Sequence, residues 1–186
     1  MRQSLQIARV FGIPIEINYS WIIIFLLITW SLAAGYYPVL LPLRNEYVYW
    51  SAAVVSAVLL FVSLLLHELS HSLVAINSGI PIKKISLFIF GGVAHMEKEP
   101  ESSSVELKIA LAGPACSFVI AALCFLAAFL LPNRGAWQIA VAVLLYMGLV
   151  NSAIVIFNSI PGFPLDGGRV FRAVLWHFVG DLRSST

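Results

Sequence analysis

The sequence predicts an α-helical polytopic membrane protein with about four transmembrane helices and a small membrane-associated β-hairpin or sheet. Three observations favour this fold class. The 186 residues are 60% hydrophobic and only 11% charged, and their mean hydropathy of +0.93 lies outside the range of soluble domains. Long apolar runs recur along the chain. One connection between these runs is rich in β-branched residues and glycine, which is typical of short strands.

Four apolar stretches have close to the roughly 20 residues that a helix needs to cross a bilayer core. They are residues Tyr19 to Tyr36, Tyr49 to Ile76, Ile109 to Leu131 and Trp137 to Ile160. Four spans place both termini on the same side of the membrane. The lipid bilayer is therefore the expected environment of the protein.

The basic residues predict which side that is. Nine of the eleven fall on the side of the termini and two on the other side. By the positive-inside rule, the amino terminus and the middle connection are cytoplasmic. The nine are Arg2, Arg9, Lys83, Lys84, Lys98, Lys108, Arg169, Arg172 and Arg183, and the two are Arg44 and Arg134.

The connection from about Asn77 to Lys108 has the composition of short strands. Its β-branched and aliphatic residues alternate with glycine and proline, which predicts a hairpin or small sheet with a tight bend. Bare strand edges are costly in hydrocarbon, so this piece is expected to pack on protein or lie at the interface. Glu16 and Asn18, before the first span, are interpreted as helix-start residues.

The second stretch contains the sequence His67-Glu68-Leu69-Ser70-His71. Two histidines one helical turn apart can bind a single metal ion, and the glutamate between them can take a proton from water. A chance match is expected at about the one-per-cent level or below, and it would place three ionisable groups in a membrane helix at considerable cost. The sequence therefore predicts a catalytic site for one zinc ion, with Glu68 as acid/base.

A catalytic zinc ion ordinarily has three protein ligands, so a third must come from another segment. Asp166 lies just beyond the fourth span, at the depth of the histidines if both spans run in the same direction. Two prolines and three glycines around it predict non-helical backbone, which is tolerated where it lines a cavity. The alternative is an interfacial turn with a solvated aspartate.

Two further histidines are weaker candidates. His95 follows Gly91 and Gly92 and could lie near the site, but a single histidine in a short strand is more often solvated or hydrogen-bonded. His177 lies in a half-polar stretch with Arg172 and Trp176, where an interfacial role is expected rather than metal binding.

The order of the motifs resembles the site-2 protease family, specifically its compact prokaryotic members. The motifs are His67-Glu68-Leu69-Ser70-His71, F-G-G-V-A at Phe90 to Ala94, A-G-P-A-C-S-F at Ala112 to Phe118, and F-N-S-I-P-G-F-P-L-D-G-G-R at Phe157 to Arg169. The resemblance implies a zinc peptidase of the prokaryotic cell membrane that cuts transmembrane segments of other proteins. Separately, the shallow depth of the His67–His71 and Asp166 motifs below the cytoplasmic face predicts that the active site opens on that side.

The resemblance assigns roles to individual residues. His67, His71 and Asp166 match the metal ligands, and Glu68 matches the catalytic glutamate. Asn158 matches a catalytic-site residue whose amide could bind the substrate backbone or the developing oxyanion. The stretch from Phe90 to Ala94 matches a strand region thought to bind extended substrate.

The chain departs from the family at its end. Members commonly have two further transmembrane helices after the aspartate motif, making a six-helix fold, and some carry a cytoplasmic regulatory domain. Residues Val170 to Val179 could form a helix too short to span, and Asp181 to Thr186 read as a polar tail. We expect one transmembrane metalloprotease core domain over residues 1–186, which is either truncated before those further segments or a minimal core.

Two other function classes are alternatives to proteolysis. A metal-ion or proton transporter could use the same His and Asp cluster, and a scaffold could bind partner helices without catalysis. The few basic residues do not form the clustered face that nucleic-acid binding requires. The sequence leaves the oligomeric state open.

Overall fold

The computed structural model of the protein describes residues 4–89 and 91–180. The described strands are β1 (Ser4–Val10), β2 (Ile13–Asn18), β3 (Ile82–Phe88) and β4 (Gly91–Met96). The described helices are α1 (Ser20–Ser31), α2 (Tyr37–Leu40), α3 (Glu46–Asn77), α4 (Ser103–Leu130), α5 (Trp137–Asn158) and α6 (Asp166–Val179), with a π-helical turn at Leu32–Tyr36 between α1 and α2. Arg2, Phe90, Arg183 and the predicted tail from Asp181 to Thr186 lie outside the described residues.

The predicted spans are confirmed. Four helical segments within the described chain are long and apolar enough to cross a membrane, namely Ser20–Leu40, Glu46–Asn77, Ser103–Leu130 and Trp137–Asn158. Large apolar side chains remain exposed along these segments, as expected where the neighbour is lipid. The first span consists of α1, the π-helical turn and α2 in continuous succession.

Side-chain caps determine where two of the spans begin. The Asn45 side chain accepts a hydrogen bond from the Tyr47 amide at the start of α3, and the Ser102 side chain accepts one from the Val105 amide at the start of α4. Such caps satisfy backbone donors that have no partner in the helix. Helix α4 consequently begins at Ser103, six residues before the apolar stretch that predicted it.

The strands form one sheet in the order β1-β2-β3-β4. Strands β1 and β2 are antiparallel, β2 and β3 are parallel, and β3 and β4 form an antiparallel hairpin. The sheet packs on α3 through a buried apolar cluster of Ile13, Ile15, Leu69, Ile85 and Leu87. This packing fixes the β3–β4 hairpin beside the helix that carries the two histidines.

The predicted hairpin is confirmed, but the sheet has two strands that the sequence did not predict. The interpretation of Glu16 as a helix-start residue was wrong, because Glu16 lies in β2 and accepts hydrogen bonds from Ser4 and Lys84. The interpretation of Asn18 is confirmed, since its side-chain oxygen accepts a hydrogen bond from the Ser20 amide.

Helix α4 is the element that connects the site to the rest of the fold. It packs against α3, α5 and α6. Helix α6 has 14 residues, too few to span, as the sequence predicted. The predicted non-helical backbone is confirmed over residues 159–165, but it stops short of Asp166, which is the first residue of α6.

Candidate metal centre

His67, His71 and Asp166 come together at one point. The two histidines project from the buried face of α3, and Asp166 reaches them from the start of α6. The Asp166 Oδ2 atom lies 3.1 Å from His67 Nε2 and 3.2 Å from His71 Nε2, and the two Nε2 atoms are 3.2 Å apart. Within the described residues, these three form the cluster that could hold a metal ion.

The spacing of the three atoms suits zinc. Two ligand atoms that each lie about 2.0–2.1 Å from one tetrahedral zinc ion are roughly 3.3 Å apart. The three observed separations of 3.1–3.2 Å are close to this value. Two imidazoles and one carboxylate also match a known class of catalytic zinc ligand set, with a fourth position left for water or substrate.

Hydrogen bonds on the far side of each ring orient the histidines. His71 Nδ1 lies 2.6 Å from the Ile109 carbonyl oxygen, which can only accept, so Nδ1 carries the proton. In the neutral ring, Nε2 then carries a lone pair instead of a proton. This lone pair faces the Asp166 carboxylate oxygen, which is also a hydrogen-bond acceptor. His67 Nδ1 lies 2.9 Å from the Ser117 hydroxyl. This pattern fits metal-binding imidazoles, whose outer nitrogens are held by polar partners.

Space for the cluster is provided by Gly113 on α4. A Cβ atom at this position would overlap the Nε2 atoms of both His67 and His71. The absence of a side chain therefore lets α4 pass close to the metal-facing nitrogens. The site is a cradle that even an alanine methyl group would fill.

The carboxylate of the cluster is suited to bind a cation. The side chains of His67, His71 and Asp166 are 4%, 5% and 12% exposed. Burial raises the pKa of the Asp166 carboxyl, but hydrogen bonds and positive charge from the adjacent imidazoles in their protonated form outweigh this effect and hold its pKa well below the usual value. Asp166 is therefore ionised at neutral pH and available as a ligand.

Glu68 lies between the metal cluster and the hairpin. Its carboxylate is within hydrogen-bonding range of the Ala94 backbone in β4. A Cβ atom at Gly92 would overlap Glu68 Cγ and lie 3.1 Å from Cδ and 3.2 Å from Leu87 Cδ2. The second glycine thus provides the space in which the Glu68 side chain lies against the edge of the sheet.

The remaining predicted residues lie outside the cluster. Asn158 is the last residue of α5, and its side-chain amide donates a hydrogen bond to the Ile154 carbonyl. His95 is exposed in β4, opposite Lys84, as expected for a solvated histidine. His177 is exposed near the end of α6, with its ring against Phe178.

Sequence reasoning missed two residues that shape the site. Gly113 and Ser117 both lie in the A-G-P-A-C-S-F motif, which carried the family resemblance without an assigned role. Their four-residue spacing places them on one face of α4. That spacing was the available signal, but nothing in the sequence shows that this face meets the histidines.

The comparisons with known proteins agree with this geometry. The sequence profile of peptidase family M50 matches residues 55–136 and 131–186. The solved site-2 protease from Methanocaldococcus jannaschii is 37% identical and has a TM-score of 0.68, over 94% of this chain and 72% of that one. A relative from Synechocystis, named as a zinc metalloprotease, is 37% identical over 97% of this chain. A zinc metalloprotease from M. jannaschii is 38% identical over 100% of this chain.

The chain spans about half the length of the curated relatives it matches. It covers 46% of the Synechocystis protein and 49% of the M. jannaschii protein. Both relatives are named as metalloproteases, which gives the transporter alternative no support.

Proposed function

The chain belongs to peptidase family M50, the site-2 proteases, and we propose that it is the core of a zinc-dependent intramembrane protease. Its proposed reaction is hydrolysis of a peptide bond within or near a transmembrane segment of a membrane-anchored regulatory protein. The protein itself is an integral membrane protein with four candidate spans among its described residues. Residues 1–186 are proposed to form one protease core domain.

The observation that carries this proposal is the convergence of His67, His71 and Asp166 beside Glu68. The three ligand atoms have the spacing of a zinc site. The Glu68 carboxylate interacts electrostatically with both histidines and with Asp166, which supports a place beside the metal position. A transport site would have no need of this acid/base group.

The proposed mechanism uses the chain's own residues for binding and proton transfer. Zinc supplies Lewis acidity, which polarises a carbonyl group and activates water. Glu68 accepts a proton from the attacking water while the water oxygen bonds to the scissile carbonyl carbon. As the carbon–nitrogen bond breaks, Glu68 returns that proton to the leaving amine. Asn158 is proposed to bind the substrate backbone or the developing oxyanion.

The exposed edge of β4 is proposed to hold the substrate in an extended form. Strand β4 pairs with β3 on one side, and its other side faces Glu68. An extended peptide added to this edge would place a peptide bond near both the carboxylate and the metal cluster. Because a helical segment must first unwind, the preferred substrates are expected to contain Gly, Pro or Asn near the cut.

The proposed location is a prokaryotic cell membrane, with the amino terminus and the site opening on the cytoplasmic side. The nine-to-two distribution of basic residues supports this orientation. Labelling of a cysteine at Ser70 from each side of sealed vesicles would test it. Access only from the side opposite the termini would contradict it.

The decisive experiment compares three proteins in detergent or vesicles: the native chain, Glu68→Gln and Asp166→Ala. Zinc content and cleavage of a model transmembrane substrate are measured for each. We expect one zinc per native chain, zinc without cleavage in Glu68→Gln, and loss of both in Asp166→Ala. Glu46→Gln, in the first turn of the same helix, is the matched control and should cleave normally.

Two results would count against the proposal. If the native protein binds no zinc, the proposed metal site is wrong. If Glu68→Gln protein cleaves normally, Glu68 is not the acid/base. The role of Asn158 is tested separately with Asn158→Ala. This variant should keep its zinc while kcat falls by about 10²–10³-fold, the usual loss for one oxyanion donor.

A further inference from the structure

Helix α6 supplies a proposed ligand to the site but is too short to span the membrane. Its position therefore depends on the elements that it contacts. The described structure packs α6 mainly against α4. The carboxylate of Asp166, at the first residue of α6, can meet the histidines only if this packing is maintained.

We propose that Glu106 on α4 and Arg172 on α6 form a positioning ion pair, which holds α6 so that Asp166 reaches the metal. This inference rests on the proposed function, since it assigns a role in building the proposed zinc site. Neither residue touches the cluster. Both would act through the helix that carries Asp166.

The ion pair is buried and specific in its geometry. Glu106 is completely buried, and the Arg172 side chain is 16% exposed. Arg172 Nε donates to Glu106 Oε1 at 2.8 Å, and Nη2 donates to the same oxygen. A carboxylate taken out of water is costly unless a cation pairs with it, so the two residues strongly favour one arrangement of the two helices.

The location of Glu106 connects this pair to the histidines. Three residues further along α4, the Ile109 carbonyl holds the His71 ring. Gly113 and Ser117, one and two turns beyond, contact the two histidines. One helix thus orients two ligands directly and holds the third through Arg172. Because the two histidines and the helix that carries Asp166 are all held by α4, the separations between the three ligand atoms are fixed.

The helical segment between Asp166 and Arg172 couples the position of the Asp166 carboxylate to the ion pair. The two residues are six apart in one helix, or about 9 Å at 1.5 Å per residue. Ala173, beside Arg172, is buried against the protein. Between them Arg169 is partly buried. This desolvation lowers the pKa of its guanidinium, while the carboxylates of Glu106 and Asp166 oppose that shift. The charges of the helix therefore face α4 and the site.

The test measures zinc affinity of the full chain in detergent by competition with a chromophoric chelator. Arg172→Gln and Glu106→Gln are each expected to weaken zinc binding on the order of 10-fold, as for the loss of a group that orients a metal ligand. Arg172→Lys, which keeps the charge, should recover most of the affinity. Arg44→Gln is the control, because Arg44 also joins two helix connections but contacts Gly135 and Gln138 instead.

Measuring the same substitution in the Asp166→Ala variant distinguishes a role in positioning Asp166 from general destabilisation of the protein. In Asp166→Ala protein only the weaker binding by the two histidines remains, so adding Arg172→Gln should not lower this residual zinc affinity further. Cleavage by Arg172→Gln protein should fall through kcat with KM unchanged. If Glu106→Gln protein does not fold, the Arg172 series decides alone, since Arg172 is partly exposed.

The results that overturn the inference are distinct from those that overturn the proposed function. Unchanged zinc affinity in Arg172→Gln, or an equal loss with and without Asp166, would overturn the ion-pair role and leave the metalloprotease proposal standing. Unchanged affinity in Asp166→Ala would remove the third ligand, which overturns the ligand set and the ion-pair role together.

Discussion

Gly113 and His71 are so close that a methyl group at position 113 would occupy the space of the His71 Nε2 atom. The same methyl group would also overlap Nε2 of His67. Since these nitrogens are the proposed zinc ligands, the contact makes α4 one wall of the metal site. The most severe consequence of a small substitution in α4 should therefore be loss of the metal.

Gly113→Ala is predicted to abolish stoichiometric zinc binding and cleavage. The added methyl group must displace either the two imidazoles or α4 itself. Zinc content of the purified protein measures the effect. Gly35→Ala is the matched control, because a Cβ atom at Gly35 meets nothing within 4 Å. Normal zinc content in Gly113→Ala would show that the described packing is wrong.

Gly92→Ala is predicted to separate metal binding from catalysis. Its methyl group would overlap Glu68 Cγ, near the backbone, where the side chain cannot simply swing away. The variant should retain zinc, because Gly92 does not contact the metal ligands, and should lose cleavage. Parallel assays of zinc and turnover test this, and loss of zinc together with activity would contradict it.

Ser117→Ala is predicted to weaken zinc binding by about 10–100-fold, the usual cost of losing an outer partner of a metal-binding histidine. The His67 ring would lose the hydroxyl that holds its Nδ1 atom. Ser63→Ala is the control, since Ser63 is buried in α3 but bonds only to the Leu60 carbonyl. Equal zinc affinities in the two variants would show that Ser117 does not support zinc binding.

The parts of the fold that the sequence predicted are those encoded locally. A membrane span is a continuous apolar run, and the His67–His71 pair repeats over one helical turn, so neither requires knowledge of distant contacts. The β3–β4 hairpin is similarly local. The proximity of Asp166 to the histidines could be predicted because two spans that run in the same direction end at similar depths, while its role as a metal ligand stays a prediction.

Most of the parts that were missed depend on contacts between distant segments. Strand β2 pairs with β3 across 70 residues, as in the pairing of Ile15 with Ile85. The alternation of isoleucine in β2 was a local strand signal, but Glu16 and Asn18 were interpreted as the start of a helix. Gly113 and Ser117 are ordinary small residues in an apolar helix until α3 is placed against them. The helical start of α6 was hidden because Pro161 and Pro164 keep the preceding backbone non-helical, while Gly167 and Gly168 lie inside a helix that packs on α4 despite their low helical preference.

Removal of zinc is predicted to lower the thermal stability of the native protein. A ligand that binds only the folded state at 100 times its Kd stabilises that state by about 2.7 kcal/mol. Melting is measured in detergent with zinc and after treatment with a chelator. The difference should disappear in Asp166→Ala, which lacks a ligand, and remain in Glu68→Gln. An equal zinc effect in Asp166→Ala would place the bound metal elsewhere.

The last prediction concerns the sheet rather than the metal. Hydrogen bonds from Lys84 and Ser4 lower the pKa of Glu16, so the folded state favours the ionised carboxylate. The stabilisation is present above the ordinary glutamate pKa of about 4.3 and is lost as the pH falls through the lowered pKa. Because Lys84 is 37% exposed, the stabilisation from its interaction with Glu16 should be no more than about 1 kcal/mol.

Melting of the zinc-free protein at low salt tests this sign. Glu16→Gln should be less stable than the native chain at neutral pH, and the difference should shrink on acidification. Lys84→Gln serves as the partner control: it should cause a similar loss at neutral pH, and Glu16→Gln should add little to it. Since the sheet holds β4 beside Glu68, a loss confined to stability, with zinc affinity unchanged, would show that the sheet and the metal ligands are independently supported.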